Sequence, residues 1–172
     1  MNVRGERAFG APRAILWQVL NDPEAMARTM PGVESFEVHD ANRWSAKVNV
    51  PLSLGILKLK VDMDKMEERE LEMAAMQLKG KGVGALVNMQ TRFDLSDAAA
   101  GGTLMRWQAD IKVAGQSVSM GQRVLQPIVN QQVQHVLGAL DQQVQAALAK
   151  NAEGSKDYEG TSLLPPEQFD QG

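Results

Sequence analysis

The chain contains no cysteine, which excludes disulfides, thiolate catalysis and thiolate-held iron–sulfur clusters. The absence fits a cytoplasmic protein. Histidine is nearly as scarce, with two residues. His39 falls near a strand end and His135 off the apolar stripe of the last helix; they lack HxxxH-type spacing, so no metal site is expected. No stretch is long and apolar enough to span a bilayer, and the opening MNVRGERAFG holds no apolar signal core. Neither sign of charge dominates. The net charge is −3 and the basic residues are scattered, so nucleic acid is not an expected partner and no strong affinity for an anionic membrane is implied. Aromatic residues are few, with four Phe, three Trp and one Tyr.

What is present describes an ordinary globular chain. It has 172 residues, 44% hydrophobic and 23% charged, enough for one domain with a sizeable core. Ten methionines are many for this length. Met fills gaps in cores and also adapts to flexible ligands, and both uses remain open.

The pattern along the chain is regular. Residues 3 to 9 alternate as a first strand. Helices are predicted at about 12–21 and 23–29. Pro12 opens the first, and Asp22-Pro23 caps and starts the second. Met30-Pro31-Gly32 breaks the chain. Strands follow at 33–39 and 44–50, with Asp40-Ala41-Asn42 as the turn between them. Leu57, Leu59, Val61 and Met63 alternate with Lys58, Lys60, Asp62 and Asp64, the clearest period of two in the chain. The charge cluster Glu67–Glu70 predicts a turn into a strand at 71–79. Further strands are predicted at 87–95 and 105–113. A long amphipathic helix is expected over 116–150, on a stripe of Val118, Leu125, Val129, Val133, Val136, Leu140 and Val144. Pro127 should kink or pinch it.

The fold class is therefore α+β. A curved antiparallel sheet of about seven strands surrounds a long C-terminal helix, with two short helices between strands 1 and 2. Residues 1–150 form a ligand-binding domain. Residues 151–172 form a flexible tail. Its apolar cluster, Leu163, Leu164 and Phe169, either docks on a partner or belongs to a loose end.

No catalytic constellation emerges. No serine has a histidine and an acid at recognisable spacing. Asp62 and Asp64 share a strand face with Lys58 and Lys60, which reads as a solvated surface. Lys79-Gly80-Lys81-Gly82-Val83-Gly84 is followed by a strand rather than a helix, so it is a bulged connector and no phosphate loop. What remains is the inner face of the sheet. Phe36, Trp44, Val48, Val61, Met63 and Met76 line it, with Met89, Thr91, Phe93 and Trp107. From the helices come Met26, Met30, Met120, Val124 and Ile128. Such a lining suits a hydrophobic ligand bearing one or two oxygens, with Thr91 the polar group. Periodicity alone does not separate a lined cavity from a filled core.

Ala11-Pro12-Arg13, Trp17, Leu20-Asn21-Asp22-Pro23 and Met30-Pro31-Gly32-Val33-Glu34-Ser35 resemble the carbon monoxide dehydrogenase CoxG family. So do Lys79-Gly80-Lys81-Gly82 with Gly84, Gly102-Thr103-Leu104, and Gly115-Gln116 with Met120-Gly121-Gln122-Arg123-Val124. That family lies within the START/Bet v 1-like, helix-grip superfamily, and the resemblance spans roughly residues 2 to 150. It implies a helix-grip fold with a hydrophobic cavity. It also implies a non-catalytic carrier with no tightly bound cofactor, its ligand a respiratory quinone (menaquinone or ubiquinone) or another lipid. The partner would be a molybdenum hydroxylase such as carbon monoxide dehydrogenase. Transient membrane contact, at the inner face of the membrane, would accompany a cytoplasmic location. The short helices with Met26 and Met30 would be the lid. Two alternatives stay open: an assembly or membrane-recruitment factor that carries nothing, and a small cyclase- or hydrolase-like enzyme.

Overall fold

The computed structural model describes residues 1–52, 55–116 and 121–162, with side chains through residue 153 apart from residue 122. Met120, Leu163, Leu164 and Phe169, and Val118 of the expected stripe, lie outside the described residues.

The elements follow the expected order. Strand β1 (Asn2–Phe9) leads to helices α1 (Arg13–Leu20) and α2 (Pro23–Thr29). Six strands follow: β2 (Val33–Asp40), β3 (Arg43–Leu52), β4 (Gly55–Arg69), β5 (Met73–Gly82), β6 (Ala85–Asp97) and β7 (Thr103–Ala114). Helix α3 (Gln122–Ser162) ends the described chain. The seven strands form one antiparallel sheet in the order β1-β7-β6-β5-β4-β3-β2. The α1–α2 pair is thus inserted where the chain crosses from one edge of the sheet to the other. A two-residue hairpin has no length for that crossing.

Local chemistry sets the interruption. Pro12 is the N-cap of α1, and its carbonyl accepts from the Ile15 and Leu16 amides at 3.1 and 3.3 Å. Asp22 caps α2 by accepting from the Glu24 amide at 3.0 Å. At Gly32, φ is +78°, and an added Cβ would overlap the Asn49 carbonyl oxygen. Only glycine leaves room for the chain to turn onto β3 there.

Three boundaries differ from expectation. β4 runs on to Arg69 through a bulge between Lys65 and Glu67, so the turn falls later than the Glu67–Glu70 cluster suggested. A bulge lets charged residues stay in a strand while breaking the strict alternation. The glycine run is no separate connector: Lys79–Gly82 continue β5, and Val83-Gly84 form the hairpin turn. Helix α3 begins at Gln122 and continues beyond residue 150 to Ser162, over residues expected to be a flexible tail. Nothing in NAEGSKDYEG after Lys150 breaks a helix, apart from the modest cost of glycine.

The main core lies at one end of the sheet. Leu16, Val19, Leu20 and Ala25 from α1 and α2 pack with Leu137, Leu140 and Val144 from α3. Phe9, Ala74, Leu95 and Met105 complete it from the strands. On α3 the buried residue of this turn is Leu137, where the stripe named Val136. The rotation is about one residue, well within the tolerance of a broad stripe.

Candidate functional site

Strand register decides which side chains share a face. Val38, Trp44, Met63, Leu78, Met89 and Ile111 form one row across the sheet. A second holds Phe36, Ala46, Val61, Gly80, Val87 and Val113. A third holds Met76, Thr91, Ala109 and Val3, and a fourth Ala74, Phe93, Trp107 and Gly5. Every strand residue expected to line the site therefore lies on the one inner face: Phe36, Trp44, Val48, Val61, Met63, Met76, Met89, Thr91, Phe93 and Trp107. Met30 packs over Trp44 and Met63. Met26 packs against the main core instead. Phe36 and Trp44 stack at a ring distance of 5.0 Å, and Phe93 meets Trp17 edge-on at 6.1 Å. On α3, Ile128 is half-buried, while Val124 is exposed and does not join the lining.

Helix α3 covers this face unevenly. From Leu137 onward it has buried residues; between Arg123 and Val136 it has none. Its packing partners are α1 and α2 rather than the strands. Pro127 adds to this, since a proline within the helix removes one backbone hydrogen bond. The inner face under the first half of α3 is consequently left with half-buried side chains, among them Val48, Met76, Met89, Thr91 and Trp107. A cleft of about 600 Å³ opens between β1 and α3, the size range of small-molecule sites. Val3, Trp107, Val133 and Leu137 are apolar wall; Arg7, Gln126, Asn130 and Gln134 make it polar at the rim.

The short helices, expected as the lid, are the best-packed part of the chain: Leu16, Val19, Ala25 and Thr29 are all buried. The cleft opens elsewhere, along β1.

Three polar groups of the inner face were not singled out from the sequence. Trp107 presents a buried indole N–H with no hydrogen-bond partner. Arg7 points inward from β1, opposite Met105, and pairs with Asp141 of α3 at 3.2 Å. Lys65 lies opposite Met76 and donates to the Asn21 side-chain oxygen at 2.7 Å, with Glu68 at 2.9 Å. The alternation itself carries Arg7 and Lys65: each continues the inward parity of its strand. Nothing in a sequence reveals that the Trp107 donor is left unsatisfied.

The groups with displaced titration lie away from the cleft. A hydrogen bond from Arg92 holds the Asp94 carboxyl below its usual range and raises Arg92 in turn. Both belong to the outer face. The Asn42 amide lowers Asp40 in the β2–β3 turn. Among the described residues no group of three or more His, Asp or Glu side chains is arranged to hold a metal ion. Nor is any helix among them long and apolar enough to cross a membrane.

A sheet gripping a long helix, with two short helices after its first strand, matches over residues 5–145 the family model for CoxG, the G-type component of carbon monoxide dehydrogenase. The chain belongs to the CoxG family. No curated protein sequence matches this CoxG-family chain. Solved structures share its fold. A conserved protein from Geobacillus kaustophilus superposes with a TM-score of 0.79 at 16% identity, over 86% of this chain and 97% of that one. A START superfamily protein from Mycobacterium smegmatis gives 0.64 at 13% identity, over 84% and 97%. The Zhui aromatase/cyclase from Streptomyces sp. R1128 gives 0.65 at 16% identity, over 86% and 95%. At these identities the likeness is one of fold, and it establishes the START-like, helix-grip architecture for this CoxG-family member.

Proposed function

We propose that the chain is a non-catalytic carrier of a respiratory quinone, menaquinone or ubiquinone, serving a carbon monoxide dehydrogenase or a related molybdenum hydroxylase. The observation that carries this reading is the apolar inner face left incompletely covered by α3, with a cleft of about 600 Å³ along β1. A polyprenyl quinone is nearly insoluble in water. Burying its tail against Met76, Met89 and Val133 is worth about 25 cal/mol per Å² removed from solvent. The Trp107 indole N–H is a donor in want of an acceptor, and a quinone carbonyl is an acceptor. An unsatisfied buried donor costs about 1–3 kcal/mol, so its pairing favours the bound state. The family match supports the dehydrogenase as client.

The charged groups of the inner face support a carrier over an enzyme. Arg7 and Lys65 are each engaged in an ion pair, with Asp141 and Glu68, which leaves neither poised as a general acid or base. Extraction and mass spectrometry of the purified protein test the reading. A bound quinone or lipid is expected, with uptake of quinone from detergent quenching tryptophan fluorescence. Purified protein that holds none and takes up none would overturn it, and turnover of a polyketide-like substrate would replace it with the cyclase alternative.

A further inference from the structure

The basic residues look scattered in the sequence, but the fold gathers six of them. Register aligns Lys47 of β3 with Lys60 of β4, and Lys60 with Lys81 of β5. Leu86 of β6 continues that row. The neighbouring row holds Asp62, Lys79, Asn88 and Lys112, and Lys58 stands two residues from Lys60 on the same strand face. All six lysines are exposed. None has an acid within ion-pair distance among the described residues. The acids nearby are Asp62, the half-buried Asp110, and Glu34, whose carboxylate accepts from the Asn49 amide group at 2.8 Å.

Three lysines directly opposite one another repel, and such pairs destabilise a sheet. At the other end of the sheet, acids and bases alternate and pair: Arg13 with Asp97, Lys65 with Glu68, Arg69 with Glu72, Arg92 with Asp94. The molecule is polarised even though its net charge is slightly negative.

The same end carries exposed apolar tips. Val83, in the β5–β6 turn, is 93% exposed; Ile56 and Leu86, on the lysine face, are 66% and 51% exposed. β7 ends beside Leu86 at this end, so α3 begins there, and its first half is the part without buried residues. Lysines, apolar tips and the uncovered stretch of the inner face thus coincide.

We infer that this end docks on an anionic phospholipid bilayer, with Val83 and Ile56 entering the interface and the six lysines facing lipid phosphates. The occupant follows from charge and chemistry together: unpaired cations call for anions, and exposed aliphatic tips beside them call for acyl chains. The inference rests on the carrier reading for its purpose, since a carrier must meet the membrane where its cavity is least covered. It does not rest on it for the binding itself.

Flotation with vesicles tests it, using the full chain. Binding is expected to phosphatidylcholine vesicles that contain phosphatidylglycerol, to weaken with added salt, and to be slight for phosphatidylcholine alone. The triple variant Lys47→Gln/Lys60→Gln/Lys81→Gln removes repulsion within the sheet, so it should fold at least as well. It should bind anionic vesicles on the order of a hundredfold more weakly, at about one decimal order or less per lysine. Val83→Asp should also weaken binding while leaving quinone uptake from detergent unchanged. Equal vesicle binding by wild type and triple variant would overturn the inference, as would indifference to the anionic lipid or absence of vesicle binding. The two readings fail separately. Quinone uptake from detergent without vesicle binding removes the docking surface and keeps the carrier. Lysine-dependent vesicle binding without quinone uptake does the reverse.

Discussion

Gly5 offers a sharp test, because the sign of one substitution decides it. An added Cβ at Gly5 would sit 2.8 Å from Cζ2 and 3.1 Å from Cε2 of Trp107. Carbon atoms pack at about 3.5–4.0 Å, so the indole must retreat by roughly 0.7–1 Å. It is a rigid double ring forming the wall of the cleft, and its shift disturbs whatever lies against its far face. Overpacking of this kind costs about 1–3 kcal/mol. Replacing glycine by alanine also restricts the unfolded chain, which returns about 0.4–1 kcal/mol. The expected net effect of Gly5→Ala is a loss of about 1–2 kcal/mol. Gly10 provides the control, since nothing lies within 4 Å of its added Cβ. Gly10→Ala should be neutral or slightly stabilising. Urea unfolding monitors both variants, and the ¹H–¹⁵N indole resonance of Trp107 reports whether the ring has moved. A Gly5→Ala protein as stable as Gly10→Ala, with the Trp107 resonance unchanged, would refute the reasoning.

Three further outcomes follow from the structure. Leu140→Ala empties a position only 2% exposed at the α1–α2–α3 junction and should cost about 2–5 kcal/mol in urea or thermal unfolding. Met89→Trp together with Thr91→Phe fills the inner face and should abolish quinone uptake from detergent while circular dichroism stays unchanged; retained uptake would place the ligand elsewhere. Arg92→Ala should return the Asp94 carboxyl upward to its ordinary range, as seen by carboxyl NMR titration. Because Asp94 is lowered in the folded protein, its contribution to stability is present above the ordinary carboxylate pKa and is lost as pH falls through the lowered value. The variant should lack that acid-side slope, and the effect should be small because both groups are partly exposed.

Much of the architecture was legible in local pattern. The period of two from Leu57 to Met63 placed Val61 and Met63 inward and the lysines outward, and the structure agrees. Asp22-Pro23 signalled the start of α2 through a cap that is formed. The misplaced boundaries lie where local rules are weak. Lys65 and Glu67 sit in a bulge, and a polar stretch after Lys150 continues a helix it does not forbid. The candidate site was legible as a face, not as a space. Which side chains point inward depends on neighbours two residues apart, a matter of backbone geometry.

The sequence by itself determined the order of the elements, the inner face and membership of a family. Only the tertiary structure decided where α3 leaves that face uncovered, which donor stays unsatisfied, and which charges become neighbours. Lys47, Lys60 and Lys81 stand far apart along the chain and side by side in the sheet. Composition counts them against the acids and finds a slight excess of negative charge. Strand register, set by the cooperative pairing of whole strands, separates the two signs in space and places the lysines at one end.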